Sequence, residues 1–190
     1  MGKKKRIIIF SCATIFVVLI VLCFFLRGYL FSIYMDYNYE EMVTGSENPM
    51  SFQEISNAKP FFGTEYNEFK LLPKTAINIQ YKFWYAKGVM GPAPHEHCFR
   101  FEAPVDDCRT FAEKIIEKYN KDNPNFRQLP LTPVKLKKRE SPFEFGELGK
   151  VEWFDIEKIV KGEVWGKNSS HTPCIWIDTE RGILYYYESD

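Results

Sequence analysis

Asp106-Asp-Cys-Arg-Thr-Phe-Ala-Glu-Lys-Ile-Ile-Glu-Lys118 is the stretch that sorts this chain into a fold class. Cys108, Phe111, Ala112, Ile115, Ile116 and then Tyr119 recur at steps of three and four, which makes one apolar stripe along a helix. Asp106 or Asp107 can cap the first turn and complement its dipole. Asn123-Pro124-Asn125 stops it. The large and mid-sized side chains of the stripe are worth about 1.5–3 kcal/mol each when buried, so the helix demands a partner surface.

Strands on both sides of the helix supply that surface. In Ala76 to Ala86, Ile77, Ile79, Tyr81, Phe83 and Tyr85 alternate with Asn78, Gln80, Lys82 and Trp84, the period of a half-buried strand. Gly88 to Pro94 breaks the chain, and His95 to Glu102 forms a second strand with Phe99 and Phe101 on its core face. After a loop through Pro130, Pro133 and Pro142, Phe154 to Lys161 reads as a short helix ended by Gly162. Glu163 to Trp165, Cys174 to Asp178 and Ile183 to Glu188 close the chain as strands, the last two joined by the turn Thr179-Glu-Arg-Gly182. The expected fold is α+β: a single domain of antiparallel sheet packed against one main helix.

A transmembrane helix is expected ahead of that domain. Lys3, Lys4, Lys5 and Arg6 precede twenty uncharged residues, Ile7 to Leu26, fifteen of them Ile, Leu, Val or Phe. Twenty helical residues span about 30 Å, the thickness of a bilayer's hydrocarbon. Fifteen such side chains favour insertion by about 5–8 kcal/mol. A cleaved signal would have a shorter core and small residues at its end, whereas Cys23-Phe-Phe-Leu-Arg27 offers none. Four basic residues before the span and Arg27 alone after it keep residues 1–6 cytoplasmic and send the C-terminal part to the periplasm or cell exterior. Tyr29, Phe31, Tyr34, Tyr37 and Tyr39 then suit a headgroup layer or an ordinary helical stalk. Residues 27–60, aperiodic and punctuated by Gly45, Ser46 and Pro49, read as a juxtamembrane stalk and lead-in loop, and residues 61–190 as the exported domain.

Charge narrows the partners. The chain holds 25 Lys and Arg against 25 Asp and Glu; without the four basic residues before the span and Arg27, 20 face 25, a net charge near −5. Nucleic acid, which needs a concentrated basic face, is excluded as a partner. The one basic run, Lys135-Leu-Lys-Lys-Arg139, reads as a solvated loop. The membrane and an envelope protein are the expected partners.

Leu72-Pro-Lys-Thr-Ala-Ile-Asn-Ile79, Phe99-Arg-Phe101, Asp107-Cys-Arg-Thr-Phe-Ala112 and Ile177-Asp-Thr-Glu-Arg-Gly182 with Tyr185-Tyr186 resemble a loose group of small bacterial membrane-anchored proteins. Those proteins carry one N-terminal anchor and one exported α+β domain. The resemblance implies a bacterial envelope location and implies no activity.

Three constellations offer chemistry. His95 and His97, two apart on a strand, point the same way and can begin a zinc or copper site, with His171 and Cys174 as the natural further ligands. The same alternation sends Cys98 to the opposite face. Cys12 and Cys23 fall in the span, and Cys108 belongs to the helix stripe. Cys98 and Cys174 share the outer sheet face, where a disulfide forms if their strands are neighbours; separate thiols or a Cys98–Cys108 bridge compete with it. Trp84 and Trp176 stand on the non-core phases of their strands, as a docking patch or beneath a second layer made by Leu129 to Gly149, the latter favoured.

Other signals are bland. Ser169-Ser170-His171 lacks an oxyanion element and reads as a polar loop, and Asn168-Ser169-Ser170 is a sequon only in a host that glycosylates. Asp178 and Glu180 flank a turn, where acids are common. No Gly-rich phosphate loop, His-Glu-x-x-His or Cys-x-x-Cys occurs. The expectation is an extracytoplasmic binding or structural module without catalysis. A His/Cys metal-binding module and an envelope enzyme are the alternatives.

Overall fold

The computed structural model describes residues 18–31, 40–57, 67–87, 95–136, 151–167 and 172–189. The chain divides into two units, residues 1–40 with 86–93 and residues 41–85 with 94–190.

In the first unit, residues 18–31 form helix α1. Its large apolar side chains lie open, from 42% exposed at Ile20 to 74% at Phe25. The helix runs through Arg27 to Phe31, so Tyr29 and Phe31 extend it as a stalk would; Tyr34, Tyr37 and Tyr39 lie outside the described residues, as do residues 7–17 of the expected span. Among the described residues, no helix is long and apolar enough to cross a membrane.

The second unit is built on an antiparallel sheet. In chain order its elements are β1 (Glu40–Met50), α2 (Phe52–Asn57), α3 (Asn67–Lys70), β2 (Ile77–Lys87), β3 (His95–Glu102), α4 (Val105–Asp122) and β4 (Val134–Lys135). A single 3-10 turn (Ile156–Lys158), β5 (Gly162–Gly166), β6 (Cys174–Asp178) and β7 (Ile183–Ser189) complete it. The strands lie in the order β1-β2-β3-β7-β6-β5-β4, so β7 closes the sheet at its centre between β3 and β6.

The helix stripe seats as its period demands. Cys108, Phe111, Ala112, Ile115 and Ile116 of α4 are buried against Phe99, Phe101, Ile175, Ile177, Leu184 and Tyr186 on one face of the sheet, here face A. Phe111 stands edge-on to Phe99 and Phe101, at 5.9 and 5.3 Å between ring centroids. Pro104, rather than an aspartate, occupies the N-cap, and its carbonyl accepts from the amides of Asp107 and Cys108. Asp106 and Asp107 stay in the first turn, where their charge suits the dipole.

Three local expectations change. Residues 40–57, read as stalk and loop, hold strand β1 and helix α2. The acids and Pro49 that hide β1 from a periodicity search are those an outermost strand carries to discourage pairing with other chains. The proposed helix from Phe154 to Lys161 shrinks to the single 3-10 turn. A bulge at Asn78, whose φ is +51°, shifts the β2 register between Ile77 and Gln80. Ile77 therefore leaves the core face and is 55% exposed, while Ile79 is buried.

The turn between β6 and β7 is held by Asp178. One carboxylate oxygen accepts from the amides of Glu180 and Arg181, and the other takes the Arg181 guanidinium Nε at 2.6 Å. Gly182 follows at φ +67°, where a Cβ would stand 2.6 Å from the Ala103 carbonyl oxygen. Only glycine satisfies both the conformation and the space.

Candidate functional site

Strand pairing assigns each candidate residue to a face. The pair Tyr81–Phe99 and the pair Phe99–Tyr186 run along face A, beside Phe83–His97 and His97–Glu188. Lys82–Cys98, Cys98–Tyr187 and Tyr187–Cys174 run along the opposite face, face B.

His95 and His97 do share a face, as alternation requires. Their rings stack at 5.8 Å with planes 20° apart. His97 is buried, with Phe83 at 6.0 Å and Tyr186 at 5.1 Å between centroids. Glu188 lies across from it on β7, and its Oε2 is 3.9 Å from His97 Nε2. The Tyr186 hydroxyl donates to the same carboxylate oxygen.

Cys174 does not join this pair. It stands on face B, and the thickness of the sheet separates it from the imidazoles. His171, Ser169, Ser170 and Asn168 lie outside the described residues. Among the described residues, no group of three or more His, Cys, Asp or Glu side chains is placed to hold a metal ion.

The Cys98–Cys174 bridge is corrected by strand order. Both thiols face Tyr187, one from each side, so two strand spacings of about 4.8 Å separate their backbones. A disulfide spans about 4.4–6.8 Å between Cα atoms. Burial pushes the Cys98 thiol well above its ordinary pKa, with the Glu96 carboxylate adding to the rise, so it is held protonated. Cys108, buried in the helix stripe, is pushed up to about 12, chiefly by burial and further by Asp107. Neither is a reactive thiolate. The Cys98–Cys108 pairing fails as well, because Cys108 packs under face A and Cys98 lies on face B.

Trp84 and Trp176 lie on face B and are both buried, which removes the docking patch. A covering layer is present over Trp176, and among the described residues Phe154 makes it. Phe154 stands edge-on to Trp176 at 6.0 Å and to Tyr185 at 5.4 Å. Leu129, from the segment expected to cover this face, packs into the α4 core instead. Residues 137–149 of that segment lie outside the described residues.

Polar fasteners hold the layer down. The Tyr185 hydroxyl donates to Asp155 at 2.7 Å, and Lys158 pairs with the same carboxylate at 2.9 Å. Burial raises the pKa of Asp155, but these donors outweigh it and hold the carboxyl below its ordinary value. Burial and the Asp155 hydrogen bond both push the Tyr185 phenol up. Arg100 sits 6.0 Å above the Tyr185 ring and donates to Glu102 at 2.8 Å. Nearer β1, the Tyr187 hydroxyl donates to the buried Glu96 carboxylate at 2.7 Å.

Sequence reasoning passed over Glu188, Glu96 and Asp155. For Glu188 a signal existed, since it continues the Leu184, Tyr186 phase that faces the core. Glu96 and Asp155 give none: one stands between two histidines and the other between Phe154 and Ile156, and only long-range pairing supplies each with its tyrosine.

The chain matches no family model, no curated protein and no solved structure.

Proposed function

We propose that this chain is a single-pass membrane protein whose α+β domain serves, outside the cytosol, as a binding or structural module without catalysis. The observation that carries the reading is the uncharged run Ile7 to Leu26 behind Lys3, Lys4, Lys5 and Arg6. The open apolar side chains of α1 agree with it, since hydrocarbon is the medium in which fourteen helical residues of this composition lose nothing by standing unpacked.

The module part of the reading rests on how the sheet is used. Aromatic and aliphatic side chains fill face A, and Phe154 with its neighbours covers part of face B. The polar side chains brought together there, Asp155 with Tyr185 and Glu96 with Tyr187, pair with one another as fasteners. Such a domain presents a shape and holds it.

Alkaline carbonate extraction of membranes from cells making the full chain tests the anchoring. The protein is expected to stay in the pellet and to dissolve only with detergent. Release by carbonate, or recovery in the soluble fraction without detergent, overturns the proposal.

A further inference from the structure

We propose that this chain associates head to tail, the basic run Lys135-Leu-Lys-Lys-Arg139 of one copy adding as a strand to the outer edge of β1 in the next. The inference rests on the module reading and gives the module its partner, a second copy of the same chain.

The two ends of the sheet differ in charge. Strands β1 and β4 are its outermost members among the described residues. β1 carries Glu40, Glu41 and Glu47 and has no Lys or Arg. At the other end, the chain from Asn123 to Arg139 carries Arg127, Lys135, Lys137, Lys138 and Arg139 and no acid. Like charges directly opposite each other on two strands are destabilising, and opposite charges stabilise. The acids of β1 therefore oppose β1–β1 pairing between copies and favour the basic run.

The backbone is arranged to match. An outermost strand presents a row of N–H and C=O groups that an added strand can pair. β1 is eleven residues long, and Pro49, which has no N–H, stands next to its end, so Glu41 to Asn48 remain for pairing. Val43 is exposed within that stretch and gives the added strand an apolar contact. On the partner side, the Leu136 amide donates to the Gly162 carbonyl. Bonding groups alternate from one side of a strand to the other, so those of Lys135 point away from β5. The run thus begins at an exposed residue with an outward-facing backbone.

Reach decides between one copy and two. β4 lies six strand positions from β1, about 29 Å across the sheet at about 4.8 Å per strand. The four residues beyond Lys135 extend at most about 14 Å. The run therefore falls short of its own β1, and a copy held in the same membrane supplies the partner. An interface made from two different edges is heterologous, so each added copy presents a fresh β1 edge and the assembly grows as a row.

Sedimentation velocity of the full-length chain in non-ionic detergent, at low and at high salt, tests the association. Oligomers that grow with protein concentration are expected at low salt. Raising the salt from about 0.1 M to about 1 M shortens the screening length from about 10 Å to about 3 Å and should weaken association about tenfold or more. Glu41→Lys with Glu47→Lys, and separately Lys137→Glu with Lys138→Glu and Arg139→Glu, should each weaken it as much. All five substitutions in one chain make the edges opposite in charge again and should restore the oligomers. A monomeric unaltered chain, wild-type association in either single-edge variant, or a folded five-substitution chain that stays monomeric overturns the proposal. Association unchanged by salt, as an anchor-driven dimer would show, overturns it too. Should the β1 variant fail to fold, the salt series and the basic-run variant still decide. Carbonate extraction reports on the anchor independently, so failure of the association and failure of the anchoring are distinguishable.

Discussion

Cys98 and Cys174 flank Tyr187 in one row across face B, each paired with it from an adjacent strand. Strand β7 therefore lies between the two cysteines, across the path a bridge would take. Peptide mapping of the unreduced protein is therefore expected to find no Cys98–Cys174 cross-linked peptide. Substituting either cysteine with serine removes no covalent constraint, and the cost is that of a hydroxyl in a buried site, about 1–3 kcal/mol. A cross-linked peptide in high yield contradicts the strand order.

The Asp155–Tyr185 bond makes a pH prediction. The folded carboxyl lies below its ordinary value, so it contributes stability above the unfolded pKa near 3.9 and loses that contribution as the pH falls toward the folded value. Asp155→Asn should remove this part of the acid sensitivity, which denaturant midpoints measured between about pH 5 and pH 2 will show. An unchanged pH profile in the variant contradicts the assignment. Tyr185→Phe should destabilise by about 1–3 kcal/mol at neutral pH, since it leaves the carboxylate without that donor.

Phe111 is where helix and sheet meet, edge-on to two rings. Phe111→Ala is expected to cost about 3–5 kcal/mol in urea unfolding of the detergent-solubilised chain. A cost under about 1 kcal/mol would mean that α4 does not seat on face A.

Two glycines give a matched pair. Gly182→Ala places a Cβ against the Ala103 carbonyl at positive φ and should destabilise by more than about 1 kcal/mol. Gly28→Ala, in α1 with nothing within 4 Å of the added carbon, should leave the unfolding of the α+β domain unchanged. Equal effects at the two positions contradict the turn geometry.

How much of this was readable from residues alone varies with burial. Helix α4 was legible because only one of its faces is buried, so a 3.6-residue period survives in Cys108, Phe111, Ala112, Ile115 and Ile116. Strands β3, β6 and β7 are buried on both faces, and alternation then says which side a residue is on without saying which side is wet. That is why Trp176, Cys98 and Cys174 read as outward although all are buried, and the same holds for Trp84 on β2. Strand β1 escaped notice because an edge strand bearing Gly45 and Pro49 has little alternation to find. The His95, His97 pairing was visible as spacing, whereas its third neighbour, Glu188, comes from the opposite end of the domain through the β3–β7 ladder.

Protease treatment of intact spheroplasts making the full chain with an epitope after Asp190 is the most direct check on an exported, tethered domain. The epitope is expected to be digested while a cytosolic marker survives. An epitope that resists protease until the cells are lysed would place the domain in the cytosol and contradict that arrangement.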